Sequence, residues 1–416
     1  MKELTVMFKA FGSSVNVGTL ADDGNDVLFQ YSPEAIAHRL ELSPVRLPLR
    51  VPAYPDQQAQ YTNLQRVPGL LYDSLPDGWG FRLMDRRLKA RGIDTATLTT
   101  LDRLAYLGEN TMGALTFTPG TEQLTDTKDL TLIELAAEIQ SLLVDDSKEV
   151  LAELARAGGS PGGARPKALV HFNPSTGQMS TQANQAADAE PWLVKFPAKD
   201  DSPDSCALEE LYAKIAHKCN MGMTETKFFE IANGVTAFGT KRFDRDNNQR
   251  VHVHSLAGLL QVNFQIPSVS YEDFFKATRR LTRDTRELKK AVQRCVFNVL
   301  MNNRDDHAKN LSFKLTKDNT WKLAPPFDLT YCPGYRGEHF MDIAGEGTAP
   351  TRAHVVKAAL AAELSAKDTG AIIDEMLECA SGTSFLKLGK DLPIRGKTLT
   401  TVAKSIEINR KRLAAT

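Results

Sequence analysis

The sequence predicts an α+β protein, with strands concentrated in its first half and helices in its second. Apolar and polar residues alternate over residues 4–8 and 26–31, which is the period of a half-buried strand. Beyond residue 255 the apolar residues recur at helical spacing, most clearly over residues 271–281 and 286–302. A glycine-rich segment, residues 158–167, lies between these two patterns.

The first 125 residues are rich in short β-like segments. Residues 18–25 supply turn-forming residues between the first two strands, and residues 112–118 are predicted to be a closing strand. Residues 71–80 form a turn-rich entry to a helix over residues 81–90. The polar stretch 119–128 marks a plausible boundary.

The rest of the chain divides into a mixed middle and a helical end. Because 416 residues are too many for one compact core, we predict three parts, residues 1–125, 126–255 and 256–416. Further elements are predicted in chain order: helices over 130–144, 148–157 and 207–219, strands over 168–172, 192–196, 226–231 and 235–241, a short pair at 311–315 and 321–323, and a helical tail from 353.

The composition of the chain argues against several classes of protein. Positive and negative side chains balance at 51 each, which argues against a large basic surface that holds nucleic acid directly; a local patch, or a partner that supplies one, stays open. No signal region and no membrane-spanning run is visible, so we expect a cytoplasmic protein without a membrane partner. The five cysteines are scattered without a C-x-x-C pair, so we expect isolated, inert or structural thiols.

Residues 302–313 hold the richest polar constellation. Asp305 and Asn310 are five residues apart, between a helix and a strand, and Asp328 follows 18 residues later after two prolines. In protein kinases an Asp and an Asn at this spacing share one loop, where the Asp accepts the substrate hydroxyl proton and the Asn binds magnesium. A solvated turn is the alternative for Asp305 alone, but the three residues together favour a site. His307 fits a hydrogen-bonding strut better than a base.

The glycine-rich segment and one strand lysine form an earlier constellation. Glycines at 162 and 163 allow backbone amides to approach phosphate, although no Walker A or G-x-G-x-x-G pattern is present and a simple hinge is the alternative. Ser160 lies inside the segment and is a candidate for phosphorylation. Lys195, mid-strand, either points to solvent or binds α/β-phosphates beside a carboxylate of the next helix, at the start of which lie Glu209 and Glu210.

These pieces, in this order, resemble the HipA family. The resemblance is closest over residues 297–310 and 326–328, and it extends to residues 160–167, 194–197, 241–245, 71–78 and 104–115. It implies a two-lobed protein-kinase-like fold, with an extra N-terminal β-rich subdomain, an ATP-binding lobe and a mostly helical C-terminal lobe. Asp306, where the family often has Gly, and Pro161 depart from the family pattern.

The resemblance also implies residue roles. Asp305 would be the catalytic base, Asn310 and Asp328 would bind Mg²⁺, and Ser160 would be the autophosphorylated serine that switches the kinase off. The residues expected to bind ATP are Lys195, Gly162, Gly163, Ala164, Lys167, Lys241, Phe243, His307 and Lys309, with Glu209 as the partner of Lys195.

The implied activity is that of a serine/threonine protein kinase toxin that uses ATP and Mg²⁺. Known targets in the family are aminoacyl-tRNA synthetases, and the usual partner is a HipB-like helix-turn-helix antitoxin, through which contact with DNA would be indirect. Two other readings stay open. One is a small-molecule phosphotransferase, and the other is a catalytically weak partner of a DNA-bound repressor, against which the retained Asp305, Asn310, Asp328 and Lys195 count.

Overall fold

The computed structural model describes residues 1–55, 62–121, 129–145, 149–159, 161–182, 188–231 and 234–415, and these residues form two compact units. Unit 1 holds the described residues of 1–201, 227–254 and 258–261. Unit 2 holds those of 202–226, 255–257 and 262–416.

Unit 1 begins with a five-stranded antiparallel sheet in the order β4-β3-β2-β1-β5. Its strands are β1 (Lys2–Ala10), β2 (Ser13–Asp22), β3 (Val27–Tyr31), β4 (Tyr54–Pro55) and β5 (Leu115–Thr118). In β1 every second side chain from Leu4 to Ala10 is buried, so the predicted alternation sets which face covers the core.

The turn predicted over residues 18–25 is wrong in its first part. Residues 18–22 belong to β2, and the turn itself lies at residues 23–26, where Asp22 and Asp23 accept backbone N–H groups. Gly18 pairs with Val6 on one side and Tyr31 on the other. Pairing on both edges satisfies the backbone of turn-forming residues, so tertiary context overrides their local preference.

A second five-stranded sheet follows in the order β7-β6-β8-β10-β9. Its strands are β6 (Lys167–Phe172), β7 (Met179–Ser180), β8 (Glu190–Lys195), β9 (Thr226–Glu230) and β10 (Thr236–Lys241). A small hairpin, β11 (Arg245–Asp246) and β12 (Gln249–Arg250), comes after it.

The described residues of unit 1 include six helices, three of which pack against the second sheet. They are α1 (Pro33–Ala37), α2 (Gly69–Tyr72), α3 (Gly78–Ala90), α4 (Thr100–Leu107), α5 (Leu132–Val144) and α6 (Ala152–Gly158). Trp79 of α3, Leu135 of α5 and Leu154 of α6 share a core with Trp192 and Val194 of β8. The core therefore joins side chains from both sides of the boundary predicted near residue 125.

A buried ion cluster fixes the segment after β10. The Asp244 carboxylate accepts hydrogen bonds from Arg242 at 2.8 Å, from Arg245 at 2.7 Å and from the Gly113 amide at 2.9 Å. Burial alone would raise the pKa of Asp244, but the two guanidinium groups outweigh burial and hold this pKa well below its usual value. Burial lowers the pKa of Arg245 to about 10, so both partners stay charged at neutral pH.

Unit 2 is mostly helical. The short β13 (Val253–Ser255) and α8 (Leu256–Leu260) lie where the chain passes between units, and α9 (Tyr271–Thr282) and α10 (Thr285–Leu300) confirm the two clearest predicted helices. The predicted pair is present as the hairpin β14 (Ser312–Leu315) and β15 (Trp321–Leu323). The remaining helices are α7 (Ser205–Lys218), α11 (Arg352–Leu360), α12 (Ala366–Cys379), α13 (Gly382–Gly389) and α14 (Gly396–Ala414).

The sequence analysis predicted isolated cysteines, and this prediction is wrong for one pair. Cys219, at the end of α7, forms a disulfide with Cys379, at the end of α12, and their Cα atoms are 5.4 Å apart. Cys206 and Cys295 are buried free thiols. The pair is separated by 160 residues, so spacing in the sequence gives no indication of it.

The predicted α+β class is confirmed, with sheets in the N-terminal part and mainly helices in the C-terminal part. The division into parts at residues 125 and 255 stays a prediction.

We expect Asp244→Asn to lower the free energy of unfolding by about 3 kcal/mol or more, because it leaves Arg242 and Arg245 buried without a counter-charge. Denaturant unfolding at pH 7 measures this. Asp246→Asn, an exposed neighbour, is the matched control and should change little. Because the pKa of Asp244 is lowered in the folded state, the wild-type advantage should be complete at neutral pH and shrink as the pH falls below the ordinary Asp value of 3.8. Equal stabilities of the two variants would contradict the role of the cluster.

Candidate functional site

Asn302, which lies shortly after the end of α10, is held in place by hydrogen bonds to Cys332. Asn302 has a left-handed backbone, with φ of 55°, and exchanges hydrogen bonds with Cys332. The Cys332 amide donates to the Asn302 carbonyl at 3.1 Å, and the Asn302 side-chain amide donates to the Cys332 carbonyl at 3.1 Å. The loop that follows therefore starts from a position anchored to the chain beyond Asp328.

Asp305 and Asp306 are adjacent but lie in opposite surroundings. The Asp305 side chain is 56% exposed, whereas that of Asp306 is fully buried. The His307 ring packs between the rings of Phe264 and Phe340, with centroids 5.4 and 5.7 Å away. Its Nε2 lies 3.9 Å from Asp305 Oδ1, beyond hydrogen-bond distance. His307 therefore contacts its surroundings through ring packing, and the hydrogen-bonding role that we expected for it stays a prediction.

Asn310 is brought to Asp305, as the spacing predicted. It ends a 3₁₀ turn, Ala308–Asn310, and its Nδ2 donates to the Asp305 carbonyl at 2.9 Å. With the amide nitrogen used in this way, Oδ1 on the other side of the planar amide is the atom suited to bind a cation. Lys309 lies between them in sequence, with Nζ 4.9 Å from the Phe264 ring centroid.

Asp328 has an unusual backbone. It follows β15, whose Leu323 amide donates to Glu287 of α10 at 2.9 Å, and it precedes Cys332, so the chain is tethered on both sides of it. Its φ is 55°, a left-handed conformation that costs most L-residues on the order of 1–2 kcal/mol and that aspartate and asparagine adopt more readily.

The oxygen donors of Asn310 and Asp328 fit magnesium in kind. Mg²⁺ prefers hard oxygen ligands and completes its shell with water and phosphate, so one amide and one carboxylate are enough protein ligands. Across the described ranges, no group of three or more His, Cys, Asp or Glu side chains is placed to hold a metal by itself. A nucleotide-assisted site is the kind these residues can form.

In unit 1 two lysines stand directly opposite each other. Lys167 of β6 pairs in register with Lys195 of β8, so both side chains project from the same face of the sheet. Both residues are more than nine-tenths buried. Phe238 of β10 is the partner of Lys195 on its other side, with the ring centroid 5.9 Å from Lys195 Nζ. Like charges at such a short spacing favour an anion, such as phosphate, at this face.

The glycine-rich segment lies against the start of α3. Lys167 Nζ donates to the Gly162 carbonyl, and the Gly163 amide donates to the Asp77 carboxylate. Gly163 has φ of 100°, a backbone conformation that glycine adopts without the steric cost that other residues carry. The Trp79 amide donates to the Gly163 carbonyl at 3.1 Å.

Asp77 and Trp79 therefore support the loop, a role that the sequence did not indicate. The Gly163 amide, which we expected to face phosphate, is held instead by an anionic carboxylate. Ala164 is exposed, and its Cα lies close to Gly78. Ser160 lies outside the described residues.

The remaining predicted residues have individual surroundings. Lys241 Nζ bonds Glu190 Oε1 at 2.6 Å, an ion pair between β10 and β8, and the half-buried Phe243 follows β10. Glu209 is buried in α7 of unit 2, whereas Lys195 belongs to unit 1, so their pairing stays a prediction.

A Ser-His-Asp arrangement in unit 1 has no access to substrate. His254 bonds Ser43 Oγ at 2.9 Å through Nε2 and Asp73 at 2.6 Å through Nδ1, which is the connectivity of a hydrolytic triad. Ser43 and His254 are completely buried. Burial keeps the neighbouring His252 uncharged by lowering its pKa to about 3. These contacts hold the fold together and do not form a second active site.

Comparison with known families identifies the chain. A model of the HipA-like C-terminal domain matches residues 159–383, more than half of the chain, and a model of the HipA N-terminal domain matches residues 9–118. The chain belongs to the HipA family. The resemblance inferred from the sequence is therefore confirmed, and the C-terminal match contains both Lys195 and the Asp305 loop.

A solved structure of a HipA protein shares the fold of this HipA family member. HipA of Shewanella oneidensis MR-1, in a complex with HipB and its operator DNA, matches with a TM-score of 0.72 and 17% identity, covering 98% of this chain and 96% of that chain. The proinflammatory kinase CtkA of Helicobacter pylori matches with a TM-score of 0.43 and 13% identity, over 59% of this chain and 93% of its own. A search of curated proteins finds no significant match.

The helices that the structure describes lack the features of a membrane span. In the part of the HipA-like chain that the structure describes, none of them combines the length and apolar character needed to cross a bilayer.

We expect Asp328→Gly to be more stable than Asp328→Ala by about 1 kcal/mol, because glycine adopts φ near 55° without the steric cost that alanine carries. Denaturant unfolding of the two variants measures the difference. The same pair at Asp318, which is exposed and does not have a positive φ, is the control and should show the opposite order. Equal stability of the two Asp328 variants would contradict the strained backbone.

Proposed function

We propose that this HipA family member is a magnesium-dependent serine/threonine protein kinase that transfers the γ-phosphate of ATP to a protein hydroxyl. The observation that carries the proposal is the geometry of the loop in unit 2. The Asp305 side chain is exposed there, and the Asn310 side-chain amide donates a hydrogen bond to the Asp305 backbone carbonyl. This gives a proton acceptor and a cation ligand on one short segment, as phosphoryl transfer requires.

The residue roles follow from chemistry. Asp305 accepts the proton of the attacking hydroxyl as the hydroxyl oxygen bonds to the γ-phosphorus. The bond from that phosphorus to the β,γ-bridging oxygen breaks at the same time, and ADP leaves. Asn310 and Asp328 hold Mg²⁺, which supplies charge neutralisation for the phosphates when bound. Lys167 and Lys195 bind phosphate oxygens, and the amides of Gly162, Gly163 and Ala164 do so once a phosphate replaces the Asp77 carboxylate at Gly163.

Other residues complete the nucleotide site in this proposal. Lys241 and Phe243 lie beside adenine, and Glu209 pairs with Lys195. His307 and Lys309 support the loop between Asp305 and Asn310, through the ring contacts described above.

We infer a toxin role and a protein partner from the family. The substrate would be a cytoplasmic protein, and an aminoacyl-tRNA synthetase is the target class that the family suggests. The Shewanella HipA was solved with HipB and operator DNA. A HipB-like antitoxin is accordingly the proposed partner, and DNA contact through it suits a chain whose charges balance at 51 each.

We expect Asp305→Ala to lower phosphotransfer by roughly 100-fold or more, because the proton acceptor is lost, while Mg-ATP binding is kept. Incubation with labelled ATP and a cell lysate measures transfer, and calorimetry measures binding. Asp318→Ala, an exposed residue of the β14–β15 turn, is the control and should transfer like wild type.

Three outcomes would contradict the kinase proposal in different ways. Label that enters only small metabolites would favour a small-molecule phosphotransferase. Wild-type protein that binds no Mg-ATP would favour a non-catalytic partner of a DNA-bound repressor. Unchanged transfer by Asp305→Ala would remove the assigned base.

We expect the chain to phosphorylate its own Ser160, since this serine lies in the glycine-rich segment between Gly159 and Pro161. Mass spectrometry of the wild type should find the phosphate there, whereas Ser160→Ala should have none in this peptide. Asp305→Ala is the matched control and should leave Ser160 unmodified after incubation with Mg-ATP. Phosphate at Ser160 in that control would point to another kinase.

A further inference from the structure

Asp306 is a buried carboxylate next to the exposed Asp305, and it has no part in the chemistry assigned so far. A buried charge is costly unless hydrogen bonds offset its lost hydration, so its presence in the loop needs a reason. We propose that Asp306 is a positioning residue that fixes the orientation of Asp305 for phosphotransfer. This inference rests on the proposed kinase function.

The first reason is that Asp306 has donors on both oxygens. Its Oδ2 accepts from the Tyr271 hydroxyl at 2.7 Å and from His339 Nδ1 at 2.8 Å, and its Oδ1 accepts from the Phe340 amide at 2.9 Å. Burial and the neighbouring carboxylate raise the pKa of Tyr271 well above its usual value, so the hydroxyl keeps the proton that it donates. Three donors hold one carboxylate in a single orientation.

The second reason is that these donors come from separate elements. Tyr271 is the first residue of α9 and also accepts from Asn298 of α10 at 2.9 Å. Asn298 in turn accepts from the Asn303 side chain at 3.0 Å. The network therefore joins two helices, the start of the loop and the residue 339–340 segment through buried side chains.

The third reason is the effect on the neighbouring residue. The Asp306 side chain is fixed inward while the side chain of the adjoining Asp305 is 56% exposed, so this anchor holds the backbone from which Asp305 projects. Phe340, whose amide bonds Asp306, also packs its ring against His307. The same anchor thus holds the chain on both sides of Asp306, and a shift of a reacting group by about 1 Å can cost roughly 100-fold in rate.

The test is Asp306→Asn. This substitution keeps the shape of the side chain but replaces one acceptor oxygen with an NH₂ group, which faces a group that donates to Asp306 in the wild type. We expect kcat for transfer to lysate proteins to fall about 10- to 100-fold, with KM for ATP within about twofold of wild type. Asp318→Asn, the same chemical change at an exposed turn, should match wild type. Tyr271→Phe removes one of the three donors to Asp306, together with the acceptor for Asn298, and should lower kcat by a smaller factor. This variant keeps the test open if Asp306→Asn does not fold.

A double-mutant cycle separates positioning from a merely structural role. In an Asp305→Asn background, adding Asp306→Asn should change the residual rate by less than about twofold, because a positioning residue acts only through Asp305. An additive loss, or a raised KM for ATP, would overturn positioning in favour of general support of the fold. Wild-type kcat in both Asp306→Asn and Tyr271→Phe would overturn it directly. Absence of transfer in the wild type would instead overturn the kinase function, and this inference with it.

Discussion

The donors around Asp306 are the interaction on which the arrangement of unit 2 depends. They connect α9, α10 and the residue 339–340 segment to one carboxylate, and the loop with Asp305 and Asn310 continues from that point. The loop is also held at its start by the contacts between Asn302 and Cys332, and by Arg304, which donates to the Thr348 carbonyl at 3.1 Å. A buried charge thus defines where an exposed charge lies, at a desolvation cost that the three donors offset.

In unit 1 the notable charges are two lysines that lie opposite each other on neighbouring strands. Strand register places Lys167 and Lys195 side by side, an arrangement that weakens a sheet unless an anion or a neighbouring group compensates. The glycine-rich segment is bound to the same strand through Lys167 and to the start of α3 through Asp77 and Trp79. Residues from the N-terminal and the C-terminal family domains therefore jointly shape the surroundings of this loop.

Much of the fold could be predicted from local pattern. Alternation of apolar and polar residues identified β1 and β3, and helical spacing of apolar residues identified α9 and α10. Each of these segments buries one face, so its apolar residues recur with the period of its secondary structure. The extent of β2 could not be predicted, since its turn-forming residues are held by partners on both sides. The Cys219–Cys379 disulfide joins residues 160 positions apart, a contact that no local pattern encodes.

In the candidate site, too, some features could be predicted from the sequence and others could not. The proximity of Asp305 and Asn310 follows from a short loop and could be predicted from spacing. The roles of Asp77 and Asp306 could not, because each depends on a residue far away in sequence, Gly163 in one case and His339 in the other. The resemblance to HipA proteins was visible because the family's motifs are contiguous.

The left-handed backbone at Asp328 has a consequence for how this family can evolve. Asparagine is the other residue type that tolerates this conformation well, and it differs from aspartate by the loss of one negative charge. In the kinase that we propose, a relative with Asn at this position would keep the backbone conformation while losing the negative charge of a proposed Mg²⁺ ligand. Under that proposal, this one replacement would separate an active enzyme from a folded relative without phosphotransfer.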